Sequence, residues 1–350
     1  MKRAFVQGLV VTLVGLLGAV HSAQAVTYSN MFVFGDSLSD TGNNAALIGF
    51  TVPGAAVVTS NSAYSKIPYS GYGTYSNGPV WATTVANALG VSATPSVLGG
   101  TNFAFGGAQT SLDGTDGPGG YPFSMTKQVS MFMQATGGHA ASDALYVVAG
   151  GGNDVRHALE SIAALPLTPT YSADIQAIVT STAMGYGAGV AGIVDSLQAV
   201  GAQHFLVWNT PDFGLTPSAL SEGPAAAGLA TALSAAMNQS LAFNLRGEGA
   251  DVVRFDVFSF LQNTVANANA LGLSNVTDAC ANVAKACSAD VANALFWDAI
   301  HPTARGHELL AGGVLTTLAA AAVPEPSTYA LLAAGLLVLA WRKRAASRQR

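Results

Sequence analysis

Residues 28–38 read Tyr28-Ser29-Asn30-Met31-Phe32-Val33-Phe34-Gly35-Asp36-Ser37-Leu38. A short apolar run gives way, at a glycine, to a polar turn. Tyr28–Phe34 reads as a strand, and an unbroken apolar run of this kind suits a strand covered on both faces. The same pattern recurs along the chain. Leu145–Ala149 ends in Gly150-Gly151-Gly152-Asn153-Asp154, His204–Trp208 ends in Asn209-Thr210-Pro211-Asp212, and Val252–Phe255 is a further strand. Between these runs the spacing turns helical. Trp81, Val85 and Leu89 fall four apart in Pro79–Leu89, and Tyr171–Val200, Pro224–Gly247, Val257–Asn269 and His307–Ala322 are further helix candidates. Gly185, Gly187, Gly189 and Gly192 weaken the middle of Tyr171–Val200. Thr303 is a candidate cap for the last.

Strands alternating with helices predict an α/β fold, a three-layer α/β/α sandwich around a central parallel sheet. Ligands in such sheets bind outside the carboxyl ends of the strands. Asp36-Ser37, Asn153-Asp154 and Asn209–Asp212 are all expected there. The stretch from Asn43 to Ser76 is less regular and reads as surface loop at a pocket rim. Phe50, Tyr64, Tyr69, Tyr72, Tyr75 and Phe123 fit either an apolar rim or ordinary packing.

Ser37 is the candidate nucleophile. Gly35 lets the chain leave the strand sharply, and the turn is expected to set Ser37 at a helix start with its N–H facing the site. A helix cap is the plainer reading of that serine taken alone. Asp298-Ala299-Ile300-His301 supplies a candidate base, His301, and a carboxylate to orient it, Asp298. His307 is a rival base without such a partner, and structural work suits it better. A tetrahedral oxyanion needs preorganised donors. The candidates are the N–H of Ser37, the N–H of Gly107 in the glycine turn after Asn102–Phe105, and the side-chain amide of Asn153.

The ends of the chain read as addresses. Lys2 and Arg3 precede an apolar run, Ala4–Val20, and Ala23 and Ala25 form an Ala-x-Ala site, so residues 1–25 read as an export signal cleaved before Val26. At the other end Val323-Pro324-Glu325-Pro326-Ser327 precedes the 13 residues Tyr329–Trp341 and then Arg342-Lys343-Arg344. A full span needs about 20 residues, so this is a short membrane segment with its basic flank on the cytoplasmic side. Residues 26–323 form one domain, without a linker or repeat. They hold seven of the 14 basic residues and 18 of the 19 acids, a net charge near −11. That balance excludes a basic nucleic-acid groove. Cys280 and Cys287 are the only cysteines. In an exported chain they suggest one disulfide, and two cysteines without further soft ligands do not suggest a metal site.

Taken together, these blocks resemble the GDSL or SGNH lipase/esterase family. Gly35-Asp36-Ser37-Leu38 is similar to its nucleophile block, Asn102–Ala108 to the block with the oxyanion glycine, Gly151–Asp154 to the block with the oxyanion asparagine, and Asp298–His301 to the block with orienter and base. Ser76–Trp81 and Asn209–Gly214 resemble accessory signatures of longer members. The resemblance covers Tyr28 to Ala320. It implies a flavodoxin-like α/β/α fold and hydrolysis of carboxylic esters through an acyl-enzyme, with no metal or organic cofactor. The expected substrates are acyl lipids or simple acyl esters. Deacetylation of an extracellular polysaccharide and non-catalytic surface binding on the same scaffold are the alternatives. Acyl transfer to an alcohol is a further one. The Gly-x-Ser-x-Gly elbow of the larger α/β-hydrolases is absent. The end of the chain, 324–350, resembles the Pro-Glu-Pro sorting tails of Gram-negative bacteria. That likeness implies export machinery and a tail-cutting membrane protease as partners. It also implies a passing stay in the inner membrane, then release to the periplasm, cell surface or matrix.

Overall fold

Four strands, β1 (Met31–Gly35), β2 (Leu145–Ala149), β3 (His204–Trp208) and β4 (Val252–Phe255), pair side by side in that order, and every pair is parallel. The computed structural model describes residues 27–48, 58–69, 71–248, 252–281 and 291–322, with Gly335 and Val338. Thr27–Thr317 forms one compact unit. The expected export signal, residues 1–25, and nearly all of the sorting tail lie outside the described residues.

A fifth, rudimentary strand flanks β1. Val33 donates to the Thr101 carbonyl at 3.2 Å, Phe103 to the Val33 carbonyl at 2.7 Å and Phe105 to the Gly35 carbonyl at 3.2 Å. The chain therefore leaves β1 to one side, crosses back, and adds β2, β3 and β4 on the other. The gap between the ends of β1 and β2 is a topological switch point, the usual place for a ligand crevice in a doubly wound sheet.

Alternation along the strands sends side chains to two buried faces. Phe34, Tyr146, Val148, Phe205 and Val207 join one core with α3 (Met125–Ala135), α4 (Gly152–Ala163), α5 (Tyr171–Ala199) and α7 (Pro224–Asn244). Phe132 sits edge-on to Phe32, Phe34, Phe103 and Tyr146 there. Such pairs each contribute about 1 kcal/mol beyond burial. The opposite face is covered by α2 (Trp81–Leu89), α8 (Val257–Ala266) and α9 (Ala304–Ala322). Trp81 lies 4.5 Å from Trp208, ring to ring, and the Gly313 backbone lies against the rings of Phe255 and Phe260. These layers form the expected α/β/α sandwich.

Several element boundaries differ from the sequence reading. β1 begins at Met31, three residues later than expected, and α2 begins at Trp81 after Pro79. α7 ends at Asn244, and α8 ends at Ala266 before a short 3-10 turn, Ala268–Leu271. α9 starts at Ala304, ahead of the expected His307, with the Thr303 hydroxyl accepting from the Gly306 N–H at 3.0 Å. α1 (Asn43–Ile48), α3, α4 and the short α6 (Pro217–Ser221) were not anticipated.

α5 runs unbroken through its glycines, two of which, Gly187 and Gly189, are required by tertiary contact. A β-carbon on Gly187 would stand 2.3 Å from Ser240 Oγ on α7, and one on Gly189 would stand 2.5 Å from Ser111 Oγ. The helix is long and apolar enough to cross a membrane, but Val190, Ile193, Val194 and Leu197 bury one face in the domain core.

Candidate active site

Ser37 stands on a tight turn just past β1. The Asp36 carboxylate accepts from the Leu38 N–H at 3.0 Å, and the Asp36 carbonyl accepts from the N–H groups of Ser39 and Asp40. No helix starts at Ser37, contrary to expectation; the first one begins at Asn43. Gly35 is required where it stands, because a β-carbon there would lie 2.4 Å from the Ala149 carbonyl. Gln128 of α3 clamps the same residue, accepting from its N–H and donating to its carbonyl, both at 2.8 Å.

Side chains tie this turn to the Asn102–Gly107 block. Buried Asp40 accepts from the backbone N–H groups of Gly42, Asn43, Asn44 and Gly106. Asn43 donates to the carbonyls of Asn102 and Ala104, Asn44 to that of Gly106, and Asn102 back to that of Ser39. Burial pushes the Asp40 carboxyl up to about 6 against the pull of its four backbone donors.

Asp298 and His301 arrive from the far end of the chain. His301 Nε2 lies 2.9 Å from Ser37 Oγ, and His301 Nδ1 lies 2.8 Å from Asp298 Oδ2. Asp298 is fully buried, and burial opposes its ionisation. The His301 imidazole and hydrogen bonds from its surroundings outweigh that and hold the carboxyl below its ordinary value. The donors are the N–H groups of Ser65, Ile300 and His301 and the Tyr69 hydroxyl, the last at 2.7 Å. An ionised carboxylate can only accept. Nδ1 therefore donates to it, which leaves Nε2 as the acceptor facing the Ser37 hydroxyl.

The oxyanion candidates line one cavity with Ser37 and His301. Among the described residues neither the Ser37 nor the Gly107 backbone N–H has a partner. Asn153, at the start of α4, gives one amide hydrogen to the Ala108 carbonyl at 3.0 Å, which leaves the other uncommitted. The Arg156 guanidinium holds its Oδ1 at 3.3 Å. Unpartnered donors at a nearly buried position are uncommon, and here three such groups share a wall with a serine. Beneath them burial pushes Asp36 up to about 6, opposed by the Leu38 N–H and by His301. Asp154 is raised further, to about 7, by burial and the nearby Asp36, although Thr110 donates to it.

The remaining expectations divide. His307 is buried, its Nδ1 accepts from the Trp81 N–H at 3.3 Å, and burial with the nearby His301 lowers it to about 3. That places it in the scaffold. Asn209 donates to Asp256, Asp212 caps a short 3-10 turn, and only Pro211 and Phe213 from that segment reach the site. The 43–76 stretch is more than surface loop, since Ser65, Tyr69, Tyr75 and Ser76 are buried. Tyr64 and Tyr75 face the His301 ring, Tyr72 is exposed, Phe123 packs on Phe105, and Phe50 lies outside the described residues. Cys280 is buried and disulfide-bonded; Cys287 lies outside the described residues. Gln128, Asp40, Asn43, Asn44, Ser65 and Arg156 were not singled out as site residues from sequence, and Tyr69 was expected only as rim or packing. The Asp40-Thr41-Gly42-Asn43-Asn44 run, directly after the serine turn, was the available signal for three of them.

The model of the GDSL-like lipase/acylhydrolase family matches residues 31–314. The chain belongs to that family. The PEP-CTERM protein-sorting motif matches residues 322–344, which indicates export by the Gram-negative sorting route. "Lipase 1" of Photorhabdus luminescens is 31% identical over 219 residues, covering 62% of this chain and 27% of that protein. "Esterase EstA" of Pseudomonas aeruginosa is 28% identical over 353 residues, covering 88% of this chain and 49% of that one. A GDSL esterase/lipase of Arabidopsis thaliana is 26% identical over 336 residues, covering 84% and 90%. The chain thus spans between about a quarter and a half of the bacterial relatives' length. The solved extracellular lipase of Streptomyces rimosus aligns over 83% of this chain and 99% of its own, at 17% identity and a TM-score of 0.41.

Proposed function

We propose that this protein hydrolyses carboxylic esters, acyl lipids or simple acyl esters, through an acyl-enzyme on Ser37. The observation that carries the reading is the unbroken line from Ser37 Oγ through the His301 ring to the buried Asp298 carboxylate. His301 Nε2 takes the Ser37 proton as Oγ bonds to the ester carbon. Asp298 keeps the ring in the accepting tautomer and stabilises the imidazolium. The N–H groups of Ser37 and Gly107 and the free amide hydrogen of Asn153 receive the oxyanion. The imidazolium then protonates the departing alcohol, and water, deprotonated by the same nitrogen, releases the acid. The family membership supports the same chemistry.

Residues 1–25 act in this reading as a cleaved export signal, 26–323 as the catalytic domain, and 324–350 as a tail held briefly in the inner membrane before a protease cuts it. Cys280 pairs with Cys287, closing the loop ahead of the Asp298 segment. The test uses the purified full chain on short and long acyl esters, a phospholipid and an acetylated polysaccharide, with Ser37→Ala as control. The wild type is expected to turn over acyl esters and Ser37→Ala to lose that turnover. Equal rates from both would remove Ser37 from the mechanism, and activity confined to the glycan would replace acyl lipids by glycan-bound acetyl groups as the substrate.

A further inference from the structure

Two cavities of opposite character meet at Ser37, Asn153 and His301. The first is a narrow slot of about 70 Å³ between α8 and α9, walled by Leu38, Phe213, Val257, Leu261, Ile300 and Leu310 among others. On α9 its lining runs from Gly306 to Leu310, so the slot follows that helix for roughly 6 Å. The second is wider, about 430 Å³, and presents Gln109, Asp113, Asp116, Arg156 and Glu160 beside Tyr64.

We infer, resting on the hydrolase reading above, that the slot holds the acyl chain and the wide cavity holds a hydrophilic alcohol. The preferred substrate is then an unbranched acyl ester of a polyhydroxy or charged alcohol. Three arguments converge on this orientation. The slot is lined almost wholly by aliphatic and aromatic carbon, which rewards each methylene drawn from water. Its small volume suits an unbranched chain better than a ring.

The third argument is the order of events. Attack by Ser37 Oγ forms the new C–O bond, the bond to the alcohol oxygen breaks, and that oxygen leaves with the proton carried by His301. The alcohol must depart while the acyl group stays. Water must then reach His301 through the space just vacated, give up its proton to Nε2, and attack the same carbon, returning the proton to Ser37 as the acid leaves. A wide polar cavity lets alcohol out and water in. A narrow apolar slot retains the acyl group and admits little water. The opposite placement would leave the acyl-enzyme with its water route blocked by the slot.

The experiment compares kcat/KM for acetyl and octanoyl p-nitrophenyl esters, which share one leaving group, using the full chain. The expected octanoyl-to-acetyl ratio rises by about fourfold for each methylene that the slot covers. Leu261→Trp, which adds volume inside the slot, lowers that ratio at least tenfold. Leu310→Ala, which opens the far end, moves the optimum to longer chains. Leu112→Trp, in the wide cavity, leaves the ratio within a factor of two. Because each readout is a ratio within one preparation, loss of folded protein does not imitate it. Methyl octanoate is also expected to outrun octyl acetate. The inference is overturned if Leu112→Trp moves the ratio while Leu261→Trp does not, or if octyl acetate is the better substrate. Failure of the wild type to turn over any ester would instead sink the hydrolase reading, and this inference with it.

Discussion

The proposed nucleophile, Ser37, and the proposed base, His301, reach the same 2.9 Å contact by different constructions. Ser37 is held by the sheet. β1 fixes its height, the Ala149 carbonyl presses on Gly35, Gln128 clamps that residue, and Asp40 with Asn43 and Asn44 ties the turn to the next block. His301 itself lies on no strand or helix. Among the described residues, the one element that bonds its segment is the short α6, whose Ser218 N–H donates to the Ala299 carbonyl at 2.9 Å. Its segment hangs between loops: Ser65 and Tyr69 reach Asp298, Ala299 donates to the Ala63 carbonyl, Ala281 donates to the Trp297 carbonyl, and Ser76 holds the Pro302 carbonyl. The position of the serine is thus a property of the fold, while that of the base is a property of contacts between loops. Damage on the serine side should appear first as lost stability, and damage on the base side as lost turnover.

Asp298→Asn is expected to break the base side most severely. The amide no longer enforces the tautomer, and kcat falls by about 10⁴-fold with Ser37 still in place. The same variant tests the pH dependence. A carboxyl held below its ordinary value contributes stability that is complete above that ordinary value and is lost as pH falls through the lowered one. Urea denaturation from neutral to acid pH should therefore show a shallower acid decline in Asp298→Asn. Asn153→Ala removes one proposed oxyanion donor, so kcat should drop by about 10²–10³-fold with KM little changed, read by steady-state kinetics.

The next two substitutions oppose the two regions directly. Asp40→Ala strips four backbone N–H groups of their acceptor, and the urea midpoint should report a loss of about 3 kcal/mol. Tyr69→Phe removes one of five hydrogen bonds to Asp298. It should lower kcat by about fivefold, the equivalent of one net hydrogen bond, and leave thermal stability nearly unchanged. If Asp40→Ala lowers only kcat, or Tyr69→Phe lowers only stability, the contrast between the regions is wrong.

The sheet was legible in the sequence because each of its strands is a local apolar run closed by a polar turn. Ser37, Gly107, Asn153, Asp298 and His301 were legible because each sits in a short block whose neighbours are themselves constrained, as Gly35 is by the Ala149 carbonyl. The supports were not. Gln128 acts 93 residues from Gly35, and Tyr69 acts 229 residues from Asp298. Nothing local to either residue marks such a partner. The continuity of α5 was hidden for a related reason. Helix propensity counts Gly187 and Gly189 as weak points, whereas packing against Ser240 and Ser111 demands that they carry no side chain. The cap of α9 is legible in Thr303, although the helical apolar spacing alone starts at His307.

The separation of 264 residues between Ser37 and His301 has a consequence for the life of the chain. Synthesis delivers the serine turn early and the histidine only when nearly all of the domain has emerged. A nascent, threaded or truncated chain therefore carries the proposed nucleophile without its proposed base. Its hydroxyl stays as inert as that of any other serine until the last segment docks. The appearance of activity would then time the final event of folding, and wherever the chain completes its fold is the first compartment whose esters it can touch.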